Sequence, residues 1–266
     1  MVMEKRDENP VRDALAGGGA SIGSWFGVRD TLMAERFGAV GFDWVIVDLQ
    51  HGSASWHGLA AVLQALQLGG TKALVRVTGH DPAEIGRALD IGAIGVVVPL
   101  VSTPEEARRV ADAMRYPPNG TRSFGLVRNT MGAPPLGHAP FCVVMIETVE
   151  GMDNLDAIAA TPGVDCVLLG AVDLAISMGL PAEEIFTPSV SLRVLAELDK
   201  IVTACARHVK IAGNAASDAA DAQRQMARGV RFIPVGAANG FMIAGAKSTL
   251  AACRSAIVQH STPKQR

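Results

Sequence analysis

Short apolar runs rich in Val, Ile and Leu alternate along this chain with longer segments whose apolar residues recur at helical spacing, and that alternation restricts the fold more than any other feature. The runs are Ser21 to Gly27, Trp44 to Gln50, Ala73 to Val77, Gly95 to Leu100, Cys142 to Glu147, Cys166 to Gly170, Val209 to Gly213 and Phe232 to Gly236. The helical segments are Thr31 to Phe37, Trp56 to Leu68, Pro82 to Asp90, Pro104 to Met114, Met152 to Ala160, Leu192 to Arg207 and Ser217 to Arg228. Several carry start or stop signals, such as Asp81 before Pro82, Thr103 before Pro104 and Gly229 after Arg228. Strands apolar on both faces and separated by helices form a parallel sheet covered by helices. Eight such units favour closure into a (β/α)8 TIM barrel over an open sheet.

With 266 residues and 49% hydrophobic content, the chain can bury one large core, and a single α/β domain over residues 1–266 suffices. Residues 1–20 form an N-terminal segment and 240–266 a helical tail. Within the tail, Phe241 to Gln259 has an apolar face that fits this barrel or a neighbouring subunit. The stretch Tyr116 to Pro140, rich in Pro, Gly and Asn, is long for an αβ connection and is expected to be a functional loop over the barrel mouth.

A net charge of −2 and 5% aromatic residues leave neither a basic field nor a stacking platform, so nucleic acid is not an expected partner. Neither a signal-peptide core near the start nor an apolar stretch of about 20 residues is present. The widely spaced Cys142, Cys166, Cys205 and Cys253 fit free thiols. A cytoplasmic protein without membrane contact is expected.

In an α/β barrel the polar residues at the C-terminal strand ends share one mouth. Four runs deliver a titratable or charged residue there or nearby: Asp48 and His51, Arg76, Glu147, and Asp173. Neighbouring strands lie about 5 Å apart, so Glu147 and Asp173 can share one ion, and hard divalent cations favour such carboxylates completed by water and substrate oxygens. The competing reading makes each a helix cap, Asp173 for a helix beginning Leu174-Ala175. If the chain turns at Leu49 to Gly52, Asp48 can orient the His51 imidazole as a general base. Arg76 within an apolar strand needs either a salt bridge to Asp48 or an anionic ligand. Its functional reading is stabilisation of a negative oxygen.

Phe42-Asp43-Trp44-Val45-Ile46-Val47-Asp48-Leu49-Gln50-His51, Leu74-Val75-Arg76, Arg115 to Arg122, Ile146-Glu147-Thr148 and Leu169-Gly170-Ala171-Val172-Asp173-Leu174 resemble, in order, motifs of the HpcH/HpaI family of class II pyruvate aldolases. The resemblance spans about Gly23 to Gly236. It implies a divalent ion (Mg²⁺, Mn²⁺ or Co²⁺) held by Glu147 and Asp173, proton handling by His51 with Asp48, and an enolate stabilised by Arg76. The reaction implied is cleavage of a 4-hydroxy-2-oxo acid into an aldehyde and pyruvate or a related 2-oxo acid such as hydroxypyruvate. It also implies substrate contact by Trp25 and by the backbone N–H groups of Gly170, Ala171 and Val172, with Gln50, Asp90 and Arg122 as supporting positions. A homohexamer, a trimer of dimers with exchanged C-terminal helices, is the implied assembly. Gln50, Met145 and Ala171 stand where some members have Glu, Gln and Pro.

A Schiff-base aldolase needs a lysine in the barrel mouth, and Lys72 and Lys210 fall at the opposite ends of their strands. The remaining alternatives are an acyl-CoA lyase of the citrate lyase β or malyl-CoA lyase type, for which no basic cluster offers a nucleotide surface, and a catalytically silent barrel that binds an oxo acid.

Overall fold

A computed structural model describes residues 9–125, 127–128, 139–185 and 192–261, with side chains through residue 257. Its strands are β1 (Ser21–Phe26), β2 (Trp44–Asp48), β3 (Ala73–Arg76), β4 (Gly95–Val98), β5 (Phe141–Ile146), β6 (Cys166–Leu169), β7 (Ile211–Asn214) and β8 (Phe232–Ala237). They pair in parallel with their sequence neighbours and close through β1 and β8 into one barrel. Around it run α1 (Pro10–Leu15), α2 (Thr31–Gly38), α3 (Trp56–Leu68), α4 (Pro82–Asp90), α5 (Pro104–Met114), α6 (Val149–Asp153), α7 (Leu155–Ala160), α8 (Ala171–Ser177), α9 (Ala182–Ile185), α10 (Leu192–Arg207), α11 (Ala219–Arg228) and α12 (Ala238–Ser261). The (β/α)8 architecture and the C-terminal helix expected from the sequence are both present.

Strand alternation divides the core in two. Val45, Val47, Val75, Val144 and Ile146 point outward into a cluster shared with the helices. Trp44, Ile46, Leu74, Val97, Val143, Met145, Cys166, Leu168 and Phe232 fill the barrel interior. At the floor, Trp44 stacks on Phe232 at 4.0 Å between ring centroids and donates its indole N–H to Ser21 Oγ at 2.7 Å. Below that, α1 plugs the N-terminal rim. Asn9 caps this helix through Val11 N–H and also reaches the Ile94 carbonyl at 3.1 Å, while Val11 joins the inner cluster.

The described residues of the segment between α5 and β5 lie on this lower rim, and for them the expectation of a loop over the mouth is corrected. A connection from a helix into the following strand ends where that strand begins. Its described residues show the placement: the backbone carbonyls of Ala139 and Pro140 accept from Arg12 of α1, and Arg128 packs against Gly92, in the turn that leads into β4. Residues 126 and 129–138 of this loop lie outside the described residues.

Helix α12 is exposed along most of its length, presenting Phe241, Met242, Ile243, Leu250 and Ile257 at 44–65% accessibility. Among the described residues no helix is long and apolar enough to cross a membrane.

Candidate active site

Period-two alternation explains which strand ends face the mouth. Asp48 follows Trp44 and Ile46 at steps of two, Arg76 follows Leu74, Glu147 follows Val143 and Met145, and Gly170 follows Leu168, so these positions continue the inner rows upward. Asp48, Arg76 and Glu147 are all buried. Asp173 stands in the first turn of α8 and is exposed.

Asp48 and Arg76 are register partners across β2 and β3. Arg76 grips the carboxylate with two donors, Nε to Oδ1 at 2.8 Å and Nη2 to Oδ2 at 2.6 Å. The guanidinium also lies over the Trp25 ring, 4.5 Å from its centroid. Fork-shaped pairing with a planar stack fixes this group more firmly than a lysine could be fixed. Burial works against ionisation of Asp48, but the Arg76 bonds and charge, with the N–H groups of His51 and Gln50, outweigh it and hold the pKa below the usual carboxylate range. Arg76 Nη1 is not used in this pair.

The expected contact between Asp48 and the His51 ring is corrected. The chain does turn after Asp48, and a Cβ on Gly52 would meet the Asp48 carbonyl at 2.6 Å and Gly27 Cα at 2.7 Å, so the turn needs glycine. What the turn brings to Asp48 Oδ1, however, is backbone: the N–H of Gln50 at 3.0 Å and of His51 at 3.2 Å. Among the described residues no hydrogen bond joins the exposed His51 imidazole to this carboxylate; the turn fixes the His51 backbone. The Gln50 side-chain oxygen is enclosed without a hydrogen-bond partner among the described residues.

Glu147 follows β5 and Gly170 follows β6, on adjoining strands. A Cβ on Gly170 would sit 2.3 Å from Glu147 Oε1, so the carboxylate occupies the space that glycine leaves. Its other oxygen, Oε2, accepts the Leu100 N–H at 2.7 Å. Burial pushes the Glu147 pKa up and the nearby Asp173 charge adds to that, while the Leu100 bond, Arg76 and His51 pull the other way. Neither carboxylate caps a helix: Thr148 caps α6 through Gly151 N–H, and Gly170 occupies the N-cap of α8. The capping alternative for both is therefore excluded.

The donor chemistry fits a hard divalent cation. Two like charges are close enough to disfavour ionisation of the buried one, which a cation between them would reverse. Among the described residues no cluster of three or more His, Cys, Asp or Glu side chains forms a closed metal cage, so most of the coordination would come from water and substrate oxygens.

The Gly170 N–H is already spent on the Ile146 carbonyl at 3.0 Å, which removes it as a carboxylate donor. Ala171 and Val172 remain, as first-turn N–H groups of α8. Asp90 and Arg122, the expected supporting positions, stand apart from Glu147 and Asp173 within this chain. They pair with each other at 2.7 Å where α4 ends, on the lower rim, with Arg122 stacked on Tyr116. Leu100 is the site residue the sequence analysis missed, because its contribution is a backbone N–H that no side-chain pattern announces.

The model of the HpcH/HpaI aldolase/citrate lyase family matches residues 21–244. A hydroxypyruvate/pyruvate aldolase of Chromohalobacter salexigens is 37% identical over 236 residues, covering 86% of this chain and 91% of that protein. A 2-dehydro-3,6-dideoxy-6-sulfogluconate aldolase of Pseudomonas putida is 38% identical over 163 residues, 59% of this chain and 64% of that protein. Among solved structures, an HpcH/HpaI aldolase/citrate lyase family protein from Burkholderia cenocepacia superposes with a TM-score of 0.83 at 28% identity, covering 92% of this chain and 99% of the other.

Proposed function

We propose, from the premise that this chain belongs to the HpcH/HpaI aldolase/citrate lyase family, that it is a divalent-metal-dependent aldolase. It cleaves 4-hydroxy-2-oxo acids reversibly to an aldehyde and pyruvate or a related 2-oxo acid such as hydroxypyruvate. The observation that carries the reading is the pair Glu147, just after β5, and Asp173, in the first turn of α8 after the adjoining β6, on the same rim as the Asp48–Arg76 pair.

Glu147 and Asp173 would hold the ion, Mg²⁺, Mn²⁺ or Co²⁺, and the Ala171 and Val172 N–H groups would receive the substrate carboxylate. When bound, a divalent cation supplies charge neutralisation and polarisation of the 2-oxo group. His51 accepts the proton of the C4 hydroxyl; the C3–C4 bond then breaks with its electron pair passing toward the 2-oxo oxygen, and the aldehyde leaves. Arg76 offers Nη1 to the oxygen on which negative charge grows, preorganised by Asp48 and the Trp25 face. Return of this proton from His51 to C3 completes pyruvate and restores the base.

The exposed apolar side chains of α12 support packing against other copies of the chain, as a homohexamer built from three dimers. Free thiols at Cys142, Cys166, Cys205 and Cys253 support a cytoplasmic setting.

Mn²⁺ calorimetry together with an aldol-cleavage assay tests the assignment. Glu147→Ala and Asp173→Ala are expected to lose ion binding and activity together. His51→Ala keeps the ion and loses about 10²- to 10⁴-fold in turnover. Parental Mn²⁺ affinity in both carboxylate variants would refute the ligand assignment.

A further inference from the structure

Two non-glycine residues among those described have positive φ, Leu100 at 55° and Val209 at 56°. For a branched side chain this is a costly conformation that persists only where surrounding structure demands it. Val209 has an ordinary reason. It follows α10, donates to the Ala206 carbonyl, and lets Lys210 N–H return to the Cys205 carbonyl at 2.7 Å, which closes the helix.

Leu100 has no helix to close. It lies two residues beyond β4, and its side chain is 46% exposed, lining a cavity of about 480 Å³ with Thr78, His80 and Arg109, so packing of that side chain does not account for the backbone. Immediately after it the chain rejoins the barrel, with Val101 fully buried and its N–H on the Met145 carbonyl at 3.1 Å. What the left-handed turn achieves is the direction of one N–H, aimed inward onto Glu147 Oε2 at 2.7 Å.

We propose that Leu100 is a positioning residue, whose left-handed backbone pins Glu147 Oε2 so that Oε1, lying over Gly170, is presented to the ion. The inference rests on the metal reading given above and extends it to a residue whose side chain touches no ligand. Pinned at one oxygen by an N–H and confined at the other by Gly170, the carboxylate keeps one orientation before the ion arrives. Partners of metal ligands are typically worth 10- to 100-fold in affinity.

Substitutions that differ in tolerance of positive φ, but all retain the N–H, test this. Leu100→Gly and Leu100→Asn accept the conformation, Leu100→Ala less readily, and Leu100→Val resists it. Mn²⁺ affinity by calorimetry is expected to stay within about twofold of the parent for Gly and Asn, and to fall by an order of magnitude for Val, with Ala between. At saturating Mn²⁺ the Val variant recovers most of its kcat, a split that general destabilisation would not produce. If Val fails to fold, the order Gly and Asn above Ala carries the test. Equal affinity in all folded variants, or a Gly variant as weak as Val, overturns the Leu100 role. A parent that binds no Mn²⁺ overturns the metal reading itself and the inference with it.

Discussion

Gly170→Ala is the most direct probe of how tightly the site is built. Gly170 has φ −93°, which alanine adopts freely, so any effect comes from the added carbon and not from backbone strain. That carbon would lie 2.3 Å from Glu147 Oε1, 2.4 Å from Cγ and 2.7 Å from Cδ, whereas ordinary contact begins at 3.4 Å. The carboxylate of Glu147, a residue only 2% exposed, must therefore retreat by roughly 1 Å (3.4 minus 2.3). A shift of that size breaks the 2.7 Å bond from Leu100 N–H. Overpacking of this kind costs about 1–3 kcal/mol, or several degrees in Tm for a chain of this length. Misplacing one of two ligands lowers Mn²⁺ affinity by about 10- to 100-fold. Thermal unfolding in chelator and a calorimetric Mn²⁺ titration measure the two effects separately. If Gly170→Ala matched the parent in both, Glu147 would not be confined as described, and the argument for its orientation would fail.

Two further perturbations separate the halves of the site. Glu147→Gln keeps an acceptor for Leu100 N–H but removes a buried charge, so in chelator it should raise Tm at neutral pH while eliminating Mn²⁺ binding. Since the folded-state pKa of Glu147 is raised, the parent is unburdened at low pH and loses stability as pH rises through that pKa; the Tm gap should open with increasing pH, and a pH-independent gap would contradict this. Arg76→Lys replaces two bonds and a stack with a single flexible contact. It should lower kcat/KM by about 100-fold, the scale of losing one oxyanion donor, with little change in Mn²⁺ affinity, as steady-state kinetics at several Mn²⁺ concentrations would show.

The strands were legible because apolar runs end where side chains stop being buried, and every strand found lies within two residues of its expected start. Inner-row alternation likewise made Asp48, Arg76 and Glu147 readable from Ile46, Leu74 and Met145. The failures have physical causes. Period two puts positions 48 and 51 on opposite faces, and the turn that reunites them presents the His51 N–H, not its ring. Helix α1 was overlooked although Asn9 before Pro10 is a start signal, because a helix of six residues is too short to show a period. Length and Pro, Gly and Asn content suggested a loop over the mouth after α5, whereas connectivity places its described residues at the rim where β4 and β5 begin, the rim on which Asp90 and Arg122 pair. The Leu100 N–H had no sequence signal, since its direction depends on a backbone angle.

Charge at the rim is divided unevenly, and the division argues for where each part of the chemistry occurs. On the β2–β3 side Asp48 and Arg76 neutralise one another, so a cation gains little there, and Asp48 serves as the anchor that aims Arg76. On the β5–β6 side Glu147 is opposed by burial and by Asp173, and the Leu100 N–H with the charges of Arg76 and His51 offsets this only in part, which leaves a demand for positive charge. On the proposed reading, an ion would be held on the β5–β6 side by Glu147 and Asp173, and Arg76 would offer the nitrogen that Asp48 leaves unused to the oxygen on which negative charge grows. On that reading Asp48 would contribute to proton transfer only indirectly, by fixing the turn that carries His51 through the Gln50 and His51 N–H groups.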